Sequence, residues 1–328
     1  MRHGRFAFSA SALALAAALL SFTAPVMAQE FPQRPVRLIV GFAPGGGADL
    51  AARNIAQKLN EAWKQSVLVD NRAGAGGNLA AEAVAKAAPD GYTMLISSPG
   101  PIVTSPYLYE KLAYDPLKEL APITLIASGP NVMVVGADSP VKSVREFIAL
   151  AQSRPGQLNY ATSGIGSTPH LAAELFKAAT RVDVVHVPYK SAAPALLEVI
   201  AGRNDVMIVS LPTVLGAVKG GKARALAVAA PKRSAQLPDV PTAEEAGVPG
   251  FEVVTWWGFL APAGVPASII SRTNQIAVSA LRSQEMRDAL TREGADAIGN
   301  SPAEFGAFIQ KESAKWARVI KASNIKAE

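Results

Sequence analysis

The sequence predicts an α/β protein built as two lobes, each a sheet flanked by helices. Short β-branched runs alternate repeatedly with Ala/Leu-rich helical stretches, a rhythm that calls for parallel strands covered by helices on both faces. The 328 residues allow about two domains at roughly 150 residues each. One continuous sheet would need about ten strands, so two smaller sheets fit better.

In chain order, Val36-Arg37-Leu38-Ile39-Val40 reads as a buried strand, and residues 49–63 as a helix with Leu50, Ile55 and Leu59 at apolar spacing. A strand at 67–69, a helix at 79–87 and a strand at 92–96 follow, and further strands fall at 123–127, 132–135, 184–187, 206–209 and 225–228. Ser143-Val144-Arg145-Glu146 and Ser301-Pro302-Ala303-Glu304 have capping-box spacing, the second with proline at the first helical position. Thr168-Pro169 and Ser191 read as further helix starts. The chain can cross between lobes at Ile123-Thr124-Leu125-Ile126 and at Thr255-Trp256-Trp257-Gly258. That places one lobe at 29–125 plus 256–328 and the other at 126–255. Lobes so joined leave a cleft at the carboxyl ends of their strands, where sheets of this class bind ligands.

The N-terminus predicts export. Arg2 and Arg5 precede an apolar stretch from Phe6 to Phe22, and Val26-Met27-Ala28 puts small or apolar residues at the −3 and −1 positions. This is the layout of a secretory signal peptide over residues 1–28, and the stretch is short for a stable membrane span. An uncleaved anchor is the alternative. Without cysteine there is no lipoprotein anchor, and no later segment offers 18 uninterrupted apolar residues. The expectation is a soluble periplasmic protein.

Composition removes several function classes. With 49% hydrophobic and 18% charged residues, the chain is not disordered. Lys+Arg 32 against Asp+Glu 26 gives +6 without a run of five like charges, so no nucleic-acid partner is expected. The absence of cysteine removes disulfides, thiol catalysis and cysteine-ligated metals. Three histidines leave little for a metal site or an acid–base relay, and no cofactor is expected.

Three strand-to-helix junctions are rich in small residues: Phe42-Ala43-Pro44-Gly45-Gly46-Gly47-Ala48-Asp49, Asn71-Arg72-Ala73-Gly74-Ala75-Gly76-Gly77-Asn78, and Tyr160-Ala161-Thr162-Ser163-Gly164-Ile165-Gly166-Ser167-Thr168. Glycine lets a ligand approach the backbone, and helix starts present unpaired N–H groups. Together they suit a carboxylate or phosphate; tight-turn chemistry alone is the plainer reading of any one loop. Nucleotide motifs fail. Leu79 and Pro169 stand where the third dinucleotide-motif glycine belongs. In the run 216–222, Ala223 replaces the hydroxyl of a P-loop.

Catalytic motifs are thin. No serine sits in a G-x-S-x-G elbow. His170 and Glu174 share a helix face and form a weak metal pair, more simply a polar helix start. His186 reads as a hydrogen-bonded structural residue. Trp256-Trp257 suits a packed lobe junction better than ligand stacking. Ser97-Ser98-Pro99-Gly100-Pro101 is a candidate polar wall of the cleft.

These stretches resemble the periplasmic solute-binding proteins of tripartite tricarboxylate transporters, the Bug family. The resemblance covers most of the chain after residue 28. It runs through Phe31-Pro32-Gln33-Arg34-Pro35-Val36-Arg37-Leu38-Ile39-Val40, Pro44-Gly45-Gly46-Gly47-Ala48-Asp49 with Arg53, and Asn71-Arg72-Ala73-Gly74-Ala75-Gly76-Gly77. It continues in Pro89-Asp90-Gly91-Tyr92-Thr93, Gly166-Ser167-Thr168-Pro169-His170-Leu171, His186-Val187-Pro188-Tyr189-Lys190 and Phe259-Leu260-Ala261-Pro262-Ala263-Gly264-Val265-Pro266. Ser191 departs from the family's usual glycine, and Arg203-Asn204-Asp205 from its small-residue-then-Asp pattern.

The resemblance implies a two-lobed periplasmic binding protein of the type II, Venus-flytrap class, each lobe a mixed, mostly parallel sheet flanked by helices. It implies capture of a small organic carboxylate without chemical change and delivery to membrane permease subunits. A ligand carboxylate would meet backbone amides and waters at Gly45, Gly46, Gly47 and Ala48, and at Ser163, Gly166, Ser167, Thr168 and His170. Asp49 would cap the first helix and stiffen its loop. Phe42, Ser97, Ser98, Tyr189 and Ser191 would line the distal pocket, with Asn78 and Asp205 as further candidates. An exported α/β enzyme acting on a small acidic substrate is the alternative, and it lacks a visible nucleophile–base pair.

Overall fold

The computed structural model describes residues 31–322 and residue 325, so the signal-peptide reading of residues 1–28 lies outside the described residues. Chain contacts divide the protein into Met1–Gln33, described only at its last three residues, and Arg34–Glu328, which holds every element below.

The first sheet is built around β1 (Val36–Val40), which pairs in parallel with β2 (Val67–Asn71) and β3 (Thr93–Ser97). Helix α1 (Gly47–Trp63) connects β1 to β2, and α2 (Asn78–Ala85) lies between β2 and β3. These are right-sized βαβ units: residues 36–40 are apolar except Arg37 because α1 and α2 cover both faces of the strand. After β3 come the short helices α3 (Ser105–Leu108) and α4 (Pro116–Glu119).

The next strand departs from the sequence expectation of two separate strands at 123–127 and 132–135. It is one strand, β4 (Leu120–Gly136), of 17 residues. Ser128, Gly129 and Pro130, which lie between the two expected strands, pair in register with Trp256, Thr255 and Val254 of β9 (Val254–Pro262). At about 3.3 Å per residue the strand is roughly 55 Å long. Through Pro130 it pairs with β9 and with β10 (Asp296–Ala297); from Asn131 onward it pairs with β7 (Val206–Ser210) and β8 (Ala223–Ala229) in the second sheet. Proline has no N–H to give a ladder, and it stands where the partners change.

The second sheet is completed by β5 (Asn159–Thr162), parallel to β7 on one side and to β6 (Val185–Pro188) on the other. Its helices are α5 (Val144–Ser153), α6 (Thr168–Thr180), α7 (Ala192–Ile200) and α8 (Leu211–Lys219). The chain returns through β9, which pairs antiparallel with both β3 and β4, and ends in α9 (Ala267–Arg282), α10 (Gln284–Glu293) and α11 (Pro302–Ala322). Among the described residues every antiparallel strand pair contains β4 or β9, and all other strand pairs are parallel. Among the described residues no helix is long and apolar enough to cross a membrane.

Alternation along β4 splits the second core in two. Met133 and Val135 face Phe147, Tyr160, Phe176 and Phe251; Val132 and Val134 face Leu196, Val209, Leu211 and Val228. The first sheet packs Ile39, Leu95 and Trp256 against Phe305, Ile309 and Trp316 of α11. Leu171, in the first turn of α6, is fully buried in this same cluster. The start of a second-sheet helix is thus seated in the first-sheet core.

Candidate functional site

The β1–α1 loop is held from below by a buried carboxylate. Asp49, in the first turn of α1, accepts from the Gly45 N–H at 3.0 Å and from Arg53 Nε at 2.9 Å through Oδ2, and from Asn71 Nδ2 at 2.9 Å through Oδ1. The same Asn71 amide donates to the Phe42 carbonyl at 2.9 Å. Burial pushes the Asp49 carboxyl up, but the bonds from Arg53, Gly45 and Asn71 outweigh it and leave it below the ordinary aspartate value. It is ionised at neutral pH and fully engaged with the loop. Gly47 lies directly on the Trp257 indole: a Cβ there would sit 2.2 Å from Cζ2. Only glycine lets the first turn of α1 come this close to β9.

The β5–α6 loop is tied by its own polar groups. Ser167 Oγ donates to the Gly164 carbonyl at 2.6 Å, and the Gly166 N–H donates to His170 Nδ1 at 3.2 Å. Thr162 Oγ1 accepts from the Gly164 N–H and lies 2.6 Å from His186 Nε2. His186 is stacked between Tyr160 and His170, with ring centroids 4.9 Å and 4.4 Å away. Burial, then the neighbouring His170, push the His186 pKa down to about 4, so the ring is neutral. The Glu174 carboxylate takes the Tyr160 hydroxyl at 2.5 Å and Lys177 Nζ at 2.8 Å. It is committed to these partners, and among the described residues no group of three His, Cys, Asp or Glu could hold a metal.

Between these loops lies a cavity with about 450 Å³ of atom-free space counted to its mouth. Four helix starts converge on it. The residues that precede α1, α6, α7 and α8 are Gly46, Ser167, Ser191 and Ser210; all four line the cavity, and none caps its helix through a side chain. Helix starts carry unpaired N–H groups and the positive end of the helix dipole. The hydroxyls of Thr168 and Ser191, both almost fully buried and both in the lining, have no hydrogen-bond partner. Phe42, Val209 and Trp257 supply apolar wall. Among the described residues that line it there is no Asp, Glu, Lys, Arg or His. A wider surface hollow beside Lys232 and Arg233 has more open space, but no helix start points into it.

Of the residues predicted from sequence, the cavity gathers Phe42, Gly46, Gly47, Ala48, Ser98, Ser163, Ser167, Thr168 and Ser191. The others lie around it or away from it. Gly45 and Asp49 bond to each other beneath the first loop, and Gly166 and His170 do the same in the third. Asn78 accepts from the buried Tyr114 hydroxyl at 2.9 Å. Ser97 Oγ donates to the Ser98 carbonyl at 3.3 Å. The Tyr189 hydroxyl accepts from Asn204 Nδ2 at 2.7 Å, and Asp205 Oδ2 accepts from the Asn159 N–H at 2.7 Å, where it fixes the start of β5.

The second glycine loop does not line the cavity. It forms the seat for the third. Gly76, with φ of +63°, passes so close to the Ile165 carbonyl that a Cβ would lie 2.4 Å from the oxygen. Thr104 Oγ1 donates to the Gly166 carbonyl at 2.8 Å beside this contact. Sequence reasoning missed Ser210, Thr213 and Thr255 as cavity residues, and it assigned Trp257 to a packed junction where the structure places it in the cavity wall. Ser210-Leu211-Pro212 has an N-cap residue and an early proline, and that signal could have found the fourth helix start.

Residues 51–325 match the family described as "Tripartite tricarboxylate transporter family receptor". The chain is 36% identical to the protein BugT of Bordetella pertussis over 310 residues, which span 94% of this chain and 95% of BugT. It is similar to the solved structure of an R. palustris protein with adipate, at 40% identity and a TM-score of 0.88, covering 90% of this chain and 99% of that one. It is also similar to MatC from Rhodopseudomonas palustris with bound malate, at 35% identity and a TM-score of 0.85, covering 88% of this chain and 100% of that one.

Proposed function

The chain belongs to the tripartite tricarboxylate transporter receptor family, a family of solute-binding receptors, and from that premise we propose that its cavity captures a small organic carboxylate and releases it unaltered to membrane permease subunits. The observation that carries this reading is the convergence of four helix starts on one cavity that also holds two unpartnered hydroxyls. Such N–H groups need an acceptor, and an anion supplies it. The adipate and malate in the two similar structures support the same ligand class.

The ligand would contact Gly46, Gly47 and Ala48 from one side and Ser163, Ser167, Thr168 and Ser191 from the other. Asp49, His170 and Gly166 would hold the loops in shape rather than touch it. The lobes, 29–125 plus 256–328 and 126–255, would close on the solute because it binds both walls only when they meet. Moving the population from 1:99 to 99:1 takes about 5.5 kcal/mol of preference for the closed form. Hydrogen bonds to a charged group, about 1.5–3 kcal/mol each, are of the right size to supply it. Residues 1–28 would act as the signal that brings the protein to the periplasm.

Isothermal titration with a panel of small mono-, di- and tricarboxylic acids tests the proposal. Saturable heat with at least one of them is expected. Binding of a sugar or a cation with no response to any acid would overturn it.

A further inference from the structure

Resting on the carboxylate reading, we propose that Ser191 is a specificity-determining residue: its hydroxyl receives a second oxygen-bearing group of the solute, so the cavity selects acids with an acceptor at each end. Serine before a helix ordinarily caps it by accepting an N–H two or three residues on. Ser143 and Ser283 do so in this protein, taking the N–H groups of Glu146 and Met286 at 3.2 Å. In both, the partner is the third residue after the serine. For Ser191 that residue is Pro194, which has no N–H to give. The Ser191 backbone is extended, with φ of −163° and ψ of 172°, and its side chain makes no cap. The hydroxyl is left without a partner, on a residue 1% exposed in the cavity wall.

The side chains at the other helix starts are spoken for. Ser167 Oγ donates to the Gly164 carbonyl, and the Ser210 and Thr213 hydroxyls share a hydrogen bond at 3.0 Å. Thr168 keeps an unpartnered hydroxyl, but on the third loop, beside the N–H groups that would take the first carboxylate. Ser191 stands to one side of it. It follows β6, the last strand in the row β7–β5–β6, whereas Thr168 follows β5. Neighbouring strands are about 4.8 Å apart. An ionised carboxylate has about four acceptor sites. Each helix start leaves several N–H groups open, so four starts and two unpartnered hydroxyls offer more donors than one carboxylate can accept. A second acceptor group on the solute meets the excess, and Ser191, in front of the α7 start, is placed to bind it.

The test uses the full chain after residue 28 and matched acids in which a methyl group replaces one carboxylate: succinate with butyrate, glutarate with pentanoate, adipate with hexanoate. At least one two-ended acid is expected to bind about tenfold or more tightly than its counterpart, and Ser191→Ala to shrink that ratio by about tenfold. A second readout separates this role from a structural one. Ser191→Ala removes no bond within the protein, so the unliganded variant should melt no lower than the parent, whereas Ser143→Ala removes a true cap and should melt a few degrees lower. An unchanged ratio in Ser191→Ala, or no preference for two-ended acids in the parent, would overturn the inference while leaving carboxylate capture intact. So would a melting loss in Ser191→Ala as large as that in Ser143→Ala. Binding of no member of any pair would overturn it too, and with a sugar or a cation bound instead the carboxylate reading would fall as well.

Discussion

Thr255 of β9 donates its hydroxyl to the Asn131 side-chain carbonyl of β4 at 3.1 Å, at the point where β4 passes from one sheet to the other. Asn131 is fully buried, and its Nδ2 donates to the Val253 carbonyl at 2.9 Å. Thr255 also lines the cavity. One residue therefore belongs both to the ligand wall and to the polar clip that joins the two crossing strands.

Removing the clip should cost stability. Asn131→Ala leaves the Thr255 hydroxyl buried without its acceptor, and a loss of about 1–3 kcal/mol is expected. Urea unfolding of the variant against the parent protein measures it. A loss under about 0.5 kcal/mol would mean that the clip is incidental.

Gly76→Ala should separate closure from folding. Alanine at positive φ is strained by about 1–2 kcal/mol, and here its Cβ would also collide with the Ile165 carbonyl. Gly202→Ala is the comparison, because Gly202 has φ of +70° and open space around its Cβ position. Both variants should melt lower, Gly76→Ala by more because the collision adds to the strain the two share. Only Gly76→Ala should weaken carboxylate binding, by about tenfold or more. Equal affinities in titration would show that the second and third loops need not meet for capture.

The neutral His186 predicts acid sensitivity. Its folded pKa, about 4, lies below the ordinary value of 6.5. Above pH 6.5 neither state binds the proton. Between 6.5 and about 4 the unfolded chain binds it and the folded ring does not, so stability falls with falling pH. Below about 4 this contribution levels off. His186→Gln should flatten that part of the Tm profile while keeping a polar partner near Thr162. Parallel profiles for the two proteins would assign the acid response to other groups.

Trp257 should report occupancy. Two adjacent tryptophans face different surroundings: Trp256 packs edge-on against Phe305 and Phe308, whereas Trp257 lines the cavity. Saturating carboxylate is expected to change the intrinsic fluorescence, and Trp257→Phe should remove most of that change. Full retention of the change in Trp257→Phe would place the solute away from this wall.

Much of this architecture was legible in the chain itself. Periodicity located β1, α1, β7 and β8 because both faces of each are covered; it also located β6, which is only partly covered, and it left out β5, whose four residues run straight into the third glycine-rich loop. Glycine clusters marked the loops at Gly45–Gly47 and Gly164–Gly166 as places of close backbone approach. The same signal misled at Gly74–Gly77, since a glycine is needed equally where a ligand lies against the backbone and where another loop does. Asp205 carried the look of a site residue but fixes the start of β5 through the Asn159 N–H. Ser210 and Thr213 went unseen because an ordinary strand-to-helix turn has no glycine to draw notice. The length of β4 was hidden by Gly129-Pro130, which is punctuation in an isolated peptide and a paired segment beside β9.

The unbroken β4 has a mechanical consequence. Its backbone is laddered into both sheets, so neither half can fray without tugging on the other. Heating should therefore melt the protein in one cooperative event, and a single proteolytic nick between 128 and 131 should weaken both halves together.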